Sequence, residues 1–311
     1  MKIKEVAPLW AQEKKRQVKK STFAAYMLTY SKRILPLLGN VEVEEIDKFK
    51  AREFAYTLLE ELSPKSVKDI IIVLKMIVNY ACDEIGLKTQ PTTWKIAWPT
   101  ENLNTHKIER YTQAQVKKII DHIVDNPSNS SLGVFIAIAT GMRIGEICAL
   151  RFRDINFEKK TISVSKTLER IYNFDPSGKK GKSEIIESVP KTKSSNREVP
   201  ILPKLLKLLK CYASISKPDY FVTTGGLRYC EPRTFREHAA QIVRKAGVSP
   251  VLKFHAFRHT FATTMIENHV DPKTVSAILG HSDVSITLDL YVHPSEEAKA
   301  SAVSKGLKNL L

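Results

Sequence analysis

KFHAFRHTFATTM, running from Lys253 to Met265, decides how the rest of this chain is read. It sets His255, Arg258 and His259 at the opening of an amphipathic helix. LGHSDVSITLDLY follows, from Leu279 to Tyr291, and TGMRIGE stands far upstream, from Thr140 to Glu146, with Arg143 inside it. Two arginines, two or three histidines and a late tyrosine suit phosphodiester chemistry without a metal. The guanidinium groups bring permanent planar charge, the imidazoles move protons or bond phosphate oxygens, and the phenol is a nucleophile. Gly141 and Gly280 permit sharp turns beside two of these segments, and the three stretches are expected to meet in space.

The charge balance points the same way. Of 311 residues, 49 are Lys or Arg and 33 are Asp or Glu, a formal net charge of +16, which predicts a polyanionic partner and nucleic acid first. Cys82, Cys148, Cys211 and Cys230 are too widely spaced for a zinc site or a disulfide framework. No acidic cluster at metal-ligand spacing accompanies the motifs, and no phosphate-binding glycine loop of the ATPase type occurs, so neither a metal nor another cofactor is expected. The N-terminus lacks the apolar core of a signal peptide and no apolar run reaches membrane-spanning length. A soluble, cytoplasmic, nucleoid-associated protein is expected.

Up to about residue 100 the pattern is helical. Apolar residues recur over 3–18, Ser21 is the expected cap of a second helix, a third is expected over 47–61, and Ser63-Pro64 opens a fourth. The fourth helix is apolar on too wide a surface for one stripe, so it packs on more than one side. Lys14, Lys15, Arg16, Lys19 and Lys20 form a basic run that fits phosphate contacts, although such a run by itself reads more readily as a solvated helix face. Residues 87–110 read as a linker. Beyond it, Thr112 and Gln115 form a capping box, 131–140 read as a buried helix, and strands are expected at 161–166, over SEIIESVPKTK and at REVPI. Asp271-Pro272 starts a helix that ends at Gly280, and Ser282 is the expected cap of the helix that delivers Tyr291. A tail helix from Ser295 carries an apolar stripe that includes Val303, Leu307 and Leu310 and needs a partner.

The set Arg143, His255-x-x-Arg258, Leu279-Gly280-His281 and Tyr291 resembles the active-site signature of the tyrosine recombinases, the phage integrase family, and the resemblance spans nearly the whole chain. It implies a mainly α fold with a small antiparallel β-sheet. Residues 1–88 are then a helical, SAM-like core-binding domain that clamps DNA, 89–108 a linker, and 109–311 a mixed α/β catalytic domain with its tail helix on a neighbouring protomer. It implies a chain that begins directly with the clamp. Its activity would be site-specific cleavage and rejoining of DNA through a covalent 3′-phosphotyrosyl intermediate and a Holliday junction, in the integration or excision of a mobile element. The implied catalytic set is Arg143, Lys191, His255, Arg258, His281 and Tyr291, with Glu146 in support; Lys193 is the alternative to Lys191. Lys14, Lys15, Arg16, Lys19, Lys20, Lys193 and Arg197 are the candidate duplex contacts. The implied partners are double-stranded DNA, three further protomers in a tetramer on two DNA sites, and accessory DNA-bending or excision factors. A type IB topoisomerase-like enzyme and a catalytically silent DNA-binding protein are the alternative readings.

Overall fold

The computed structural model describes residues 1–86, 94, 96, 98, 109–188 and 196–291. The expected lysine turn, with Lys191 and Lys193, lies outside them, as do the tail helix and most of the expected linker. The chain divides into two compact units, Met1–His106 with Arg170–Ile186, and Lys107–Glu169 with Glu187–Leu311.

The first unit is built on helices α1 (Ile3–Gln17), α2 (Lys20–Thr29), α3 (Leu35–Leu38), α4 (Lys48–Leu59) and α5 (Pro64–Asp83), with a π turn, Tyr30–Ile34, between α2 and α3. Ser63 caps α5 by accepting from the Ser66 amide, and Pro64 takes the first helical position, where its missing N–H costs nothing. The α5 side chains Val67, Ile70, Ile71, Val73, Leu74, Ile77, Val78 and Ala81 are all buried, because α1, α2, α4 and the π turn surround the helix. Asp47 caps α4. Ser21 caps nothing: α2 already begins at Lys20, with no side-chain cap. Trp94 and Ile96, within the expected linker, are buried in this unit's core, and Trp98 packs against it.

The second unit holds α6 (Gln113–Asp125), α7 (Asn129–Thr140), α8 (Ile144–Ala149), α9 (Pro203–Ser214), α10 (Pro232–Lys245), α11 (His255–Glu267), α12 (Pro272–Leu279) and α13 (Ser285–Tyr291). Its centre is α7, buried on nearly every side and packed by α6, α8, α9, α10 and α11. The Thr112–Gln115 capping box forms as expected. Ahead of α13 it is Asp283, not Ser282, that accepts from the Ser285 amide, at 2.9 Å.

A three-stranded antiparallel sheet, β1 (Ile155–Asn156), β2 (Thr161–Val164) and β5 (Arg197–Pro200), has β2 in the middle, paired Ile162 to Val199 and Val164 to Arg197. The expected strand through 183–188 does not join it. It is part of a hairpin, β3 (Thr167–Phe174) with β4 (Lys180–Ser188), whose residues 170–186 belong to the first unit, with Phe174 in that unit's core. Strand β3 buries Leu168, Ile171 and Phe174, three residues apart, so its alternation is not visible in the sequence. The fold is therefore mainly helical with a small antiparallel sheet. No helix among the described residues is long and apolar enough to cross a membrane.

Gly141 ends α7 with a φ of +63°, the left-handed region, and a Cβ there would stand 2.7 Å from Leu279 Cδ2 and 2.8 Å from Phe261 Cδ1. Gly141→Ala is expected to cost about 2 kcal/mol from backbone strain and crowding. That would lower the melting temperature of the second unit by about 5 °C. A calorimetric shift below about 1 °C would show that neither constraint is real.

Candidate active site

The site is assembled in the second unit from two turns and two helices. Gly141 turns the chain out of α7 so that Arg143 stands as the residue before α8. There the Glu146 carboxylate accepts the Arg143 amide at 2.9 Å and its Nη1 at 3.0 Å. Arg143 Nη2 donates to the Gly280 carbonyl at 3.0 Å and Nη1 approaches the Leu279 carbonyl at 3.4 Å. The TGMRIGE and LGH stretches are thus joined through the arginine itself. The Arg143 side chain remains 39% exposed.

Helix α11 supplies the second pair of groups. Arg258 is buried, with Nη1 donating to the Gly141 carbonyl at 2.9 Å, so the turn that presents Arg143 also fixes Arg258. His255 stands one turn earlier on the same helix. His255 is an exposed residue by area, yet neighbouring atoms partly desolvate its imidazole, which lies T-shaped to the His259 ring at a centroid distance of 4.6 Å. That desolvation, then the charges of His259, Arg258 and Arg143, push His255 down to about 4. His259 is pushed down as well, by burial and then by Arg258.

His281 follows Gly280, which ends α12 in the left-handed conformation at φ +67°. Its Nδ1 lies 2.7 Å from Oγ1 of the buried Thr287 on α13. That contact leaves Nε2 as the nitrogen for a ligand. Burial, then Arg258, Arg143, His255 and Arg197, push His281 down to about 4. Tyr291 is the last residue of α13, which packs on α11 and α12.

The structure thus brings together Arg143, Glu146, His255, Arg258 and His281, with Tyr291 ending the adjoining helix. It corrects Arg197, expected against a duplex. Its side chain is 6% exposed, and it bonds Glu146 and the Ile278 carbonyl. Sequence reasoning missed this because an arginine opening a strand after a basic stretch of sequence looks like a phosphate contact; a buried carboxylate about fifty residues away leaves no local signal. On the first unit, Lys15, Arg16, Lys19 and Lys20 are exposed, while Lys14 is half-buried with Nζ bonded to Gln17. Lys14, Lys15 and Arg16 also form the last turn of α1, where cations complement the helix dipole.

The model of the Phage integrase family matches residues 109–298, and that of the Phage integrase, N-terminal SAM-like domain, matches residues 2–59. A tyrosine recombinase XerC-like protein of Caldanaerobacter subterraneus subsp. tengcongensis is 34% identical over 78% of this chain. The alignment spans 65% of that relative's length. A solved structure of the Tn1549 transposon integrase in complex with a circular intermediate DNA superposes with a TM-score of 0.75 at 22% identity, covering 98% of this chain and 99% of that one. A lambda integrase tetramer bound to a Holliday junction gives 0.65 at 18% identity, covering 95% of this chain and 80% of that one. With Arg143, His255, Arg258 and His281 brought to one site and the family model spanning more than half its length, the chain belongs to the phage integrase family of tyrosine recombinases.

Proposed function

We propose that this protein is a site-specific DNA recombinase that integrates or excises a mobile element, working through a covalent 3′-phosphotyrosyl intermediate. The observation that carries the reading is the convergence of Arg143, Arg258, His255 and His281 beside the helix that ends at Tyr291. The Tyr291 oxygen attacks the scissile phosphorus, its proton passes to His255, and the bond to the 5′ oxygen breaks. Arg143 and Arg258 hold the non-bridging oxygens, with His281 Nε2 as a further donor. The basic 5′ oxygen takes its proton from Lys191 or Lys193. A 5′ hydroxyl of the exchanging strand then reverses the step. The phosphotyrosyl bond conserves the cleaved linkage, so rejoining needs no ATP.

In this reading residues 1–88 clamp the duplex, with Lys14, Lys15, Arg16, Lys19 and Lys20 as phosphate contacts; 89–108 link the domains, and 109–311 carry the chemistry in a tetramer on two DNA sites, in the nucleoid. The tetramer has structural support. An apolar groove of about 450 Å³ opens on the second unit between α6, α7 and α11, lined by Val116, Ile120, Phe135, Ile138, Phe261 and Met265. We assign it to the tail of a neighbouring protomer, whose Val303, Leu307 and Leu310 would fill it. The transposon origin of a structural relative supports the mobile-element role.

Incubation with a nicked suicide duplex carrying a core site, in EDTA, is expected to give a covalent protein–DNA band on a denaturing gel that Tyr291→Phe abolishes. Tight binding to a verified core site with no such band would overturn the catalytic reading. His255 and His281 have folded values near 4, below the ordinary 6.5, so both are neutral at pH 7 and His255 is competent as a base. Covalent-complex formation should therefore be flat from about pH 8 to about pH 5 and fall below that. A fall centred near 6.5 would show that the base titrates at the ordinary imidazole value and that the site does not depress it. Depressed histidines also favour the unfolded chain when protonated: their stability contribution is full above 6.5 and is lost as the pH falls toward 4. Urea midpoints at both ends of that range read it. Leu307→Asp with Leu310→Asp should abolish multi-protomer complexes in gel shifts while single-protomer binding persists; intact multi-protomer complexes would rule out the tail as the link.

A further inference from the structure

Arg143 and Arg197 bind the same carboxylate but differ in exposure. The Arg143 side chain is 39% exposed and that of Arg197 is 6% exposed. Arg197 reaches Glu146 Oε1 with Nη1 at 3.2 Å and Oε2 with Nη2 at 2.9 Å, and its Nε donates to the Ile278 carbonyl at 2.6 Å. Arg143 takes the next two carbonyls, those of Leu279 and Gly280. Three successive carbonyls at the C-terminal end of α12 are thus held by two guanidinium groups that share one buried carboxylate. A helix leaves such carbonyls without intrahelical partners, and cations are favoured there.

The residue that follows is His281. Its amide bonds back to the Ser276 carbonyl at 3.1 Å, and the Gly280 amide to that of Ala277 at 3.1 Å, so the turn is closed on itself before the arginines fix it from outside. Space there is tight. A Cβ on Gly280 would stand 2.9 Å from Arg197 Nη1 and 3.1 Å from its Cδ and Cζ. Strand β5 therefore reaches the site through one side chain, and the glycine of the LGH motif leaves the room that this side chain occupies.

We infer that Arg197 is a positioning residue: it shares the Glu146 charge with Arg143 and clamps the end of α12, so that Arg143 and His281 hold fixed places in the pocket. The inference rests on the recombinase reading for its consequence, but the clamp itself can be tested without it. Without Arg197, the Glu146 carboxylate falls to Arg143 alone and draws that guanidinium inward, away from its open face. The Ile278 carbonyl loses its donor and the His281 turn loosens. Lysine at this position keeps the charge but offers one compact donor where the guanidinium makes three directed bonds.

His281 reports on the clamp. The groups around it are Arg258 and His255 from α11, Arg143 before α8, Arg197 from β5 and Thr287 from α13. The experiment is an NMR titration of the full chain with labelled histidines, His281 being assigned by its loss in His281→Gln. In Arg197→Ala the His281 midpoint is expected to rise by about half a pH unit or more. Guanidinium chloride at low millimolar concentration should return it toward the native value, and sodium chloride at equal ionic strength should not. Arg197→Lys should show a smaller rise with no response to guanidinium, and it carries the test if the alanine variant fails to fold. A native midpoint in Arg197→Lys or Arg197→Ala, or equal action of the two salts, overturns the inference. A second arm measures covalent-complex formation on the nicked duplex: Arg197→Lys should be at least about tenfold slower, with duplex affinity within about twofold. A native rate in Arg197→Lys overturns the positioning role and leaves the recombinase reading intact. Absence of any covalent complex in the native protein removes that reading, and the titration still decides the clamp.

Discussion

A single buried carboxylate holds the second unit's site in shape. Glu146 is buried, and burial works to raise its carboxyl; the bonds and charge of Arg197, then those of Arg143, outweigh this and keep it below the ordinary carboxylate value. An unpartnered charge at such a place would be prohibitive, and removing one partner from a buried pair typically costs about 3–5 kcal/mol. Glu146 is satisfied by four bonds from two residues that come from different parts of the chain. It ties the turn before α8 to the start of β5, and the two arginines extend that tie to the end of α12.

The electrostatics follow from this arrangement. Two arginines against one carboxylate leave one net positive charge, and Arg258 adds a second. Burial and these same cations keep His255, His259 and His281 neutral at pH 7. The pocket therefore offers fixed positive charge together with neutral imidazoles, a division suited to an anion that must be bound while a proton moves. Had the histidines been the source of the positive charge, the pocket would weaken as the pH rose through neutrality. Guanidinium groups do not titrate in that range, so the charge persists.

Much of this was legible in the sequence. The caps at Ser63 and Thr112, the apolar breadth of α5 and the left-handed glycines after α7 and α12 are local signals, and local physics placed them correctly. The four-part signature also brought Arg143, His255, Arg258 and His281 together before any fold was known. Two things were not legible. Strand β3 buries Leu168, Ile171 and Phe174, and residues three apart in a strand lie on opposite faces, so a test for alternation passes over it. The role of Arg197 depends on Glu146, which meets it only after the chain has formed β2 and paired β5 with it. The basic stretch of sequence before Arg197 made a surface role look natural. What sequence periodicity reads is a residue's neighbours along the chain, and Arg197 acts on neighbours across it.

The same reasoning explains why LGH and the tyrosine sit on separate short helices. Helix α12 ends under the two arginines, so His281 is fixed relative to Arg143 through the backbone of the turn. From His281 the reference passes to α13 through Thr287, whose hydroxyl lies 2.7 Å from Nδ1 and which is fully buried. Positions 287 and 291 are one helical turn apart and share a face of α13. The position of the tyrosine along the chain is therefore referred step by step to the Glu146 carboxylate: through the arginines to α12, through the turn to His281, and through one side-chain contact to α13. Each link but the last involves a guanidinium or the backbone. The last is a single neutral contact between His281 and Thr287, and it is the weakest step in the series. Packing of α13 on α11 and α12 supplements that contact, and the charges that would meet a phosphate stay where the carboxylate has fixed them.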